Sequence, residues 1–206
     1  MKQSDFLKQA KKALEKHTVY GSGAFGASIG KYPDQAKRYY DNTLKRCGQT
    51  EANKVKTEAA KPPCWAFDCC GLIKAIIWGW DAVENSVYGG ATYKSNGLPD
   101  LGAGSGKSDL ISYCQDVSDD FSKIAPGEML WNDGHVGIYI GDGYAIECTT
   151  AWTGNVQKST VTNIKKAATG EHGRKWTKHG KLPWVEYEKA PAEIVCPCCG
   201  ARFVQI

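Results

Sequence analysis

Two runs of alternating apolar and polar residues, separated by the turn signal of residues 141–143, constrain the fold of this chain more than any other feature. The first run covers residues 135–140 and the second covers residues 144–149. Successive side chains of a β-strand point to opposite faces of a sheet, so each run predicts a half-buried strand. The Gly-Asp-Gly sequence between the runs predicts a tight turn. The pattern therefore predicts an antiparallel β-hairpin.

The hairpin pattern places two polar side chains on one face of the sheet. Because the apolar residues of both strands belong to the core, His135 and Glu147 should project together from the opposite, outward face. A turn of three residues pairs Ile140 with Tyr144 and Gly137 with Glu147. His135 is then the diagonal neighbour of Glu147, at about 7–8 Å between backbones. We therefore predict a contact between the imidazole and the carboxylate.

A strongly apolar segment over residues 69–80 precedes the hairpin. Its apolar side chains recur at helical spacing and predict a helix buried along one face: Cys69, Leu72, Ile73, Ile76 and Trp80. Asp68 stands at the N-cap position of this helix. A thiol at a helix N-terminus meets the positive end of the helix dipole, which favours the thiolate of Cys69. Cysteines on apolar helices are more often unreactive core residues, and Cys70 fits that description because it lies off the stripe.

The remaining elements place helices first and strands last. We predict further helices over residues 5–17, capped by Ser4, and over residues 33–46 and 108–115. A loop rich in glycine and serine covers residues 86–107, and two or three further strands lie between residues 152 and 187. Helices followed by strands indicate an α+β fold rather than alternating βαβ units.

Composition limits the class of protein and its partners. The chain has 206 residues, of which 42% are hydrophobic, enough for one packed domain. No run of about 18 uncharged apolar residues occurs, so we expect no membrane insertion. A net charge of +4 does not demand nucleic acid as a partner. The basic stretch of residues 165–181 has Trp176 as its one interleaved aromatic residue, which favours a solvated basic face over a nucleic-acid surface.

The number and clustering of the cysteines indicate reduced thiols and a separate C-terminal tail. Their number is nine, so they cannot all pair within one chain, and we expect reduced thiols. The sequence Cys-Pro-Cys-Cys-Gly over residues 196–200 matches one knuckle of a zinc ribbon, with Cys196 and Cys199 as ligands. One knuckle supplies two of the four ligands of a structural site, so zinc is possible there but a Cys-rich tail without metal is the alternative. We predict a catalytic domain over residues 1–188 and this tail over residues 189–206.

The buried helix and the hairpin together supply the parts of a nucleophilic site. A carboxylate beside an imidazole accepts its ring N–H, fixes its tautomer and favours its protonated form. An imidazole placed in this way can activate a thiol. The sequence therefore predicts that Cys69, His135 and Glu147 form a nucleophile, a base and an orienting group.

These segments resemble a known family. Residues 67–73 read Phe-Asp-Cys-Cys-Gly-Leu-Ile and resemble the Asp-Cys-small-Gly-Leu motif of NlpC-type cell-wall cysteine peptidases. Residues 134–141 read Gly-His-Val-Gly-Ile-Tyr-Ile-Gly and resemble the hairpin of that family, and Glu147 stands where the family has its third polar residue. The resemblance covers roughly residues 17–187. The overall pattern is similar to lysins encoded by prophages of Gram-positive gut bacteria.

The resemblance implies a papain-like α+β fold, with N-terminal helices packed on a C-terminal antiparallel sheet. It implies an endopeptidase that cleaves stem-peptide bonds of bacterial peptidoglycan, commonly after D-glutamate, and needs no cofactor. Cys69 would be the nucleophile, His135 the base and Glu147 the orienting group. Tyr20 and Asp68 are the candidate substrate-binding residues. The family tyrosine normally lies closer to the cysteine, whereas here an insertion of about forty residues follows Tyr20.

Other functions remain open at this level. The third polar residue of the family is more usually His, Asn or Gln, whereas Glu occurs in the related CHAP amidase/peptidase group. An N-acetylmuramoyl-L-alanine amidase on the same scaffold is therefore the alternative enzyme. A non-catalytic cell-wall-binding module or a zinc-dependent interaction protein are alternatives from other classes. Residues 1–8 lack the apolar core of a secretory signal, so we expect synthesis in the cytoplasm and action on the wall after release.

Overall fold

Four α-helices and two sheets organise residues 1–188 in the computed structural model, which also describes two short strands at residues 193–195 and 202–204. The helices are α1 (Gln3–Glu15), α2 (Pro33–Cys47), α3 (Gln49–Ala59) and α4 (Cys69–Ile77). Single 3₁₀ turns occur at Leu110–Ser112 and Phe121–Lys123.

The strands form one small and one large sheet. The small sheet has the order β1-β3-β2 and contains β1 (Thr18–Tyr20), β2 (Phe25–Ser28) and β3 (Trp65–Phe67). The large sheet has the order β4-β10-β5-β6-β7-β8-β9 and is antiparallel except between β8 and β9. Its members are β4 (Gln115–Ser118), β5 (Met129–Asn132), β6 (His135–Gly141), β7 (Tyr144–Cys148), β8 (Val156–Val161), β9 (Gly173–Arg174) and β10 (Lys178–Lys181). The strands β11 (Glu193–Val195) and β12 (Arg202–Val204) pair with each other.

The α+β class is confirmed, since helices and a mostly antiparallel sheet make up the described chain. Helices α1, α2 and α4, the hairpin and the three strands after residue 152 are all present, and residues 86–107 form the expected loop. Helix α4 ends at Ile77 rather than near Trp80, because Gly79 takes the left-handed backbone conformation (φ 94°) that stops a helix.

Two local predictions are wrong. Ser4 does not cap α1, which begins at Gln3 without a side-chain cap, because the backbone N–H of Gln3 donates to Glu186 (3.0 Å). Residues 108–115 form one 3₁₀ turn and then a strand instead of an α-helix. There the Ser112 hydroxyl donates to the carbonyl oxygen of Asp109 (2.7 Å), and such side-chain bonds to the backbone compete with helix propagation.

The large sheet is covered on both faces. On one face, α1 and α4 pack against β6 and β7, so that Val136 and Ile138 meet the apolar side of α4. On the other face, Tyr139 and Trp176 belong to a separate cluster of buried side chains. The prediction that His135 and Glu147 face outward is therefore wrong, since their face of the sheet is also covered.

Helices α2 and α3 build a second layer on the small sheet. Their buried side chains, including Tyr39 and Val55, contact Val19 and Ala66 of β1 and β3 in a small apolar core of their own. Within the described part of the chain, no helix has the length and apolar character that crossing a bilayer requires.

Candidate active site

The first turn of α4 is fixed by its N-cap residue. Asp68 accepts the backbone N–H of Gly71 through Oδ1 (2.5 Å) and that of Gly23 through Oδ2 (2.7 Å), so one carboxylate joins the helix to the loop before β2. Gly71 is required here, because any side chain would collide with the carbonyl oxygen of Ala24. Cys69, the first helical residue, is thereby held at the positive end of the α4 dipole.

The small sheet brings Tyr20 to the same place. Strand β1 runs parallel to β3, and Tyr20 pairs with Phe67, two residues before Cys69. The chain between β1 and β3 contains β2, α2 and α3, yet β1 and β3 are direct neighbours in the small sheet. Burial, followed by the nearby Asp68, raises the pKa of the Tyr20 hydroxyl, so the phenol stays neutral.

The hairpin places His135 against Glu147 as its pattern predicts. Ile138 pairs with Ile146, which is the register that follows from a turn of three residues. Next to the turn a bulge shifts the register, so that Tyr144 pairs with Gly141 and not with Ile140. His135 Nε2 lies 2.7 Å from Glu147 Oε2, within hydrogen-bond distance.

Glu147 is a buried carboxylate with three side-chain donors. Its side chain has no solvent exposure. Oε2 accepts from His135 and from Arg174 Nε (2.8 Å), and Oε1 accepts from the Ser159 hydroxyl. Burial alone would raise the pKa of Glu147, but the hydrogen bond from His135, together with Ser159 and Arg174, lowers it below its ordinary value. Glu147 therefore stays charged and fixes the orientation of the imidazole.

The indole ring of Trp176 packs against the imidazole ring of His135. Trp176 stacks on His135 with ring centres 5.5 Å apart and planes 13° from parallel. Gly137 makes this possible, since a side chain there would lie 2.9 Å from the Trp176 ring. The Arg174 guanidinium carbon also lies 5.6 Å from the centre of the same ring. The glycine of the Gly-His-Val-Gly sequence thus has a packing role.

The sulfur of Cys69 completes the series of contacts. Its pKa is lowered well below the ordinary value, most by the Cys70 thiol and then by the His135 ring and the backbone N–H of Val136, although burial opposes this. For His135, burial opposes protonation, but the contacts with Cys69 and Glu147 raise its pKa to about 9. With Nε2 facing Glu147, Nδ1 is the ring nitrogen left for Cys69. The arrangement favours a thiolate–imidazolium pair.

Cys70 differs from its neighbour. Its hydrogen bond to Cys69 and its burial both raise its pKa well above the ordinary value. The thiol therefore remains protonated and acts as a donor to the Cys69 sulfur. The two adjacent cysteines are thus electrostatically unequal, and the lowered pKa of Cys69 makes it the candidate nucleophile.

A cleft of about 850 Å³ opens onto Cys69. Tyr20 and Asp68 also line this cleft. The structure therefore brings together all five predicted site residues: Tyr20, Asp68, Cys69, His135 and Glu147. Further lining comes from two arginines of α2, an aromatic group and the glycine-rich loop: Arg38, Arg46, Phe25, Tyr88, Tyr93 and residues 101–104. A groove of this kind can admit an extended chain.

Arg174 and Trp176 contact Glu147 and His135, although both belong to the basic stretch that was predicted to be a solvated face. That interpretation is wrong for this part of the stretch, because Arg174 pairs with Glu147, Trp176 is buried, and His179 is buried against Glu128. The available signal was Trp176 itself, an apolar residue within a basic run.

The predicted metal ligands Cys196 and Cys199 lie outside the described residues. Among the residues that the structure does describe, no group of three or more His, Cys, Asp or Glu side chains is arranged to hold a metal ion. A scan against protein-family models and a search of curated proteins find no match to this chain.

Proposed function

We propose that the protein is a cysteine endopeptidase that hydrolyses stem-peptide amide bonds of bacterial peptidoglycan, after D-glutamate. The observation that carries this proposal is the series that runs from Cys69, which lines an open cleft, through His135 to the buried Glu147. A nucleophile on a helix N-terminus facing a base on an antiparallel sheet is also the arrangement of a papain-like fold.

The reaction follows from the charges of these groups. The Cys69 thiolate attacks the amide carbonyl, and the developing oxyanion is held by N–H groups of the first turn of α4. Within residues 1–188, the N–H groups of Cys69 and Cys70 have no hydrogen-bond acceptor and are available for this role. Protonated His135 donates its proton to the leaving amine, which leaves a thioester.

Water completes the cycle. Neutral His135 takes a proton from a water molecule, and the resulting hydroxide attacks the thioester carbonyl. The bond between carbonyl carbon and sulfur breaks, so that a carboxylic acid leaves and the thiolate–imidazolium pair is restored. Glu147 holds the ring throughout and stabilises its protonated state.

Tyr20 and Asp68 belong to the substrate side of the site. Tyr20 lines the cleft as a neutral phenol and can donate a hydrogen bond to a bound peptide. Asp68 caps α4 through Oδ1 and binds the backbone N–H of Gly23 through Oδ2, so its contribution is to hold the loop before β2 against the helix at the cleft wall. We propose that Tyr20 contacts the substrate directly and that Asp68 shapes the cleft.

The choice of peptidoglycan rests on the resemblance of residues 67–73 and 134–141 to NlpC-type peptidases. One observation favours the amidase alternative, since the third residue of the series is Glu147, the residue type used in the CHAP group. Both enzymes share the thiol mechanism and differ in the bond that they cleave.

Mass spectrometry of digested peptidoglycan tests the proposal. Purified bacterial peptidoglycan is incubated with the protein and with the Cys69→Ala variant, and the released muropeptides are analysed for new termini. We expect new amino termini at the residue after D-glutamate with the wild-type protein only. New L-alanine amino termini would instead identify the amidase. Sedimentation with the wall in the absence of any cleavage would identify a binding module and contradict the proposal.

A further inference from the structure

Helix α2 presents two arginine side chains to the cleft. Arg38 and Arg46 both line it, and with Asn42 between them they are spaced at four-residue intervals along one face of the helix. The Asn42 side-chain amide donates to the carbonyl oxygen of Ser22 (3.4 Å), which sets this face of α2 against the loop beside Asp68. The two guanidinium groups therefore belong to the wall that α2 contributes.

The other charged groups that line the cleft already have partners. Lys74 forms an ion pair with Asp100, and the carboxylate of Asp68 accepts two backbone N–H groups. In contrast, no ion pair among residues 1–188 involves Arg38 or Arg46. The cleft thus offers two cations without a protein counter-charge.

Arg38 is also held in position. Its Nη1 donates to the Tyr88 hydroxyl (3.4 Å), and the Tyr88 ring stacks on Phe25 with centres 4.4 Å apart. Phe25 and Tyr88 line the same cleft. Arg38 is exposed, and its guanidinium lies at the edge of an aromatic surface within the cleft, where a ligand can reach it.

We propose that Arg38 and Arg46 form an anion-binding subsite that recognises a substrate carboxylate next to the bond that Cys69 attacks. The inference rests on the proposed function, because it assigns the substrate class of the same site: peptides with a free carboxylate beside the scissile amide, rather than their carboxamide forms. A guanidinium fork matches a carboxylate through two parallel hydrogen bonds. Because α2 lies in the segment inserted between Tyr20 and Cys69, the insertion carries this selectivity.

An alkylation experiment tests the subsite without any peptide substrate. Iodoacetate and iodoacetamide both react with the Cys69 thiolate, whose sulfur displaces iodide, but only iodoacetate carries a negative charge. The ratio is the rate with iodoacetate divided by the rate with iodoacetamide at Cys69, and it reports the local positive potential. Mass spectrometry with fragmentation that separates Cys69 from Cys70 measures both rates. We expect Arg38→Gln/Arg46→Gln to lower this ratio by about threefold or more at low salt.

Two further variants control for charge and folding. Lys45→Gln removes the same charge from α2 at a position that does not line the cleft, and it should lower the ratio much less than the loss of either arginine. Arg38→Lys/Arg46→Lys restores the charges and should restore most of the ratio. A wild-type ratio in Arg38→Gln/Arg46→Gln would overturn the subsite.

A substrate pair links the subsite to the reaction. Two peptides that differ only by a free α-carboxylate or a carboxamide on D-glutamate are offered to each variant. We expect the wild-type protein to prefer the acid, and the Arg38→Gln/Arg46→Gln variant to lose about tenfold in kcat/KM on the acid alone. Equal losses on both peptides would overturn the proposed selectivity. Should neither peptide be cleaved while the alkylation ratio still depends on the arginines, the subsite stands and the proposed reaction fails.

Discussion

Glu147 Oε2 lies 2.7 Å from His135 Nε2, and the carboxylate is completely buried although its partner is twelve residues away on the neighbouring strand. A buried carboxylate needs compensating donors, and His135, Arg174 and Ser159 provide them. The charge of Glu147 is thus available to the imidazole without competition from water.

Replacing this carboxylate should disable the site. We expect Glu147→Gln to lower kcat by about 10²-fold to 10⁴-fold, because a neutral amide neither fixes the ring nor stabilises its protonated form. It also leaves Arg174 without its partner, so the free energy of unfolding should fall by about 3 kcal/mol. Kinetics and urea unfolding measure the two effects, with the exposed Glu15→Gln as control. Unchanged kcat in a folded Glu147→Gln protein would show that Glu147 has no part in the reaction.

The two adjacent cysteines should be separable by chemistry. We expect Cys69→Ala to abolish hydrolysis, a loss of about 10⁴-fold or more, with the fold intact. Cys70→Ser keeps a donor to the Cys69 sulfur and should stay within a few-fold of wild type, whereas Cys70→Ala should raise the pKa of Cys69. The pH dependence of iodoacetamide labelling at Cys69 measures that shift. Loss of activity in a folded Cys70→Ser protein would mean that Cys70 is the nucleophile.

Activity should have an upper pH limit set by His135. Its pKa of about 9 exceeds the ordinary 6.5, so the imidazolium needed to protonate the leaving amine persists through neutral pH and is lost as the pH rises through about 9. We expect kcat/KM to fall above that pH. In Cys69→Ala the thiolate is absent, so NMR titration of the His135 ring should give a lower pKa than in the wild-type protein. An upper limit near 6.5 would contradict the thiolate–imidazolium pair.

Gly137 should be intolerant of a side chain. We expect Gly137→Ala to destabilise the protein by about 1–3 kcal/mol and to reduce kcat, because the new methyl group displaces Trp176 from the His135 ring. A smaller ring in Gly137→Ala/Trp176→Phe should recover part of the stability. Thermal unfolding and kinetics of the single and double variants provide the measurement. A single variant with wild-type stability would show that Trp176 is not held by this contact.

The parts of the site that lie close in sequence were predictable. The alternation of residues 135–149 sets both faces of the hairpin, and the register near Ile138 follows from the turn length. The apolar stripe after Asp68 predicts α4 and its cap. These elements follow local rules, and they contain Cys69, His135 and Glu147. The bulge next to Gly141 follows no such rule, and its position was not predicted.

The rest depends on contacts between distant segments. Strands β1 and β3 have three residues each, and β3 is buried throughout, so neither shows an alternation that a sequence pattern could detect. Helix α3 was missed because two buried residues, Ala52 and Val55, define its apolar side. Arg174 reaches Glu147 across 27 residues, and its role becomes visible only once β9 lies beside β8.

The direct pairing of β1 with β3 has a practical consequence. Tyr20 and Cys69 are joined through that pair, while α2 and α3 form a helical insertion between β2 and β3 that packs on the small sheet. Another helical pair grafted between β2 and β3 would leave the pairing of β1 with β3 in place, provided that it covers the same apolar side of the small sheet. Variation in this segment offers a route to new specificities that does not require the chemistry to be rebuilt.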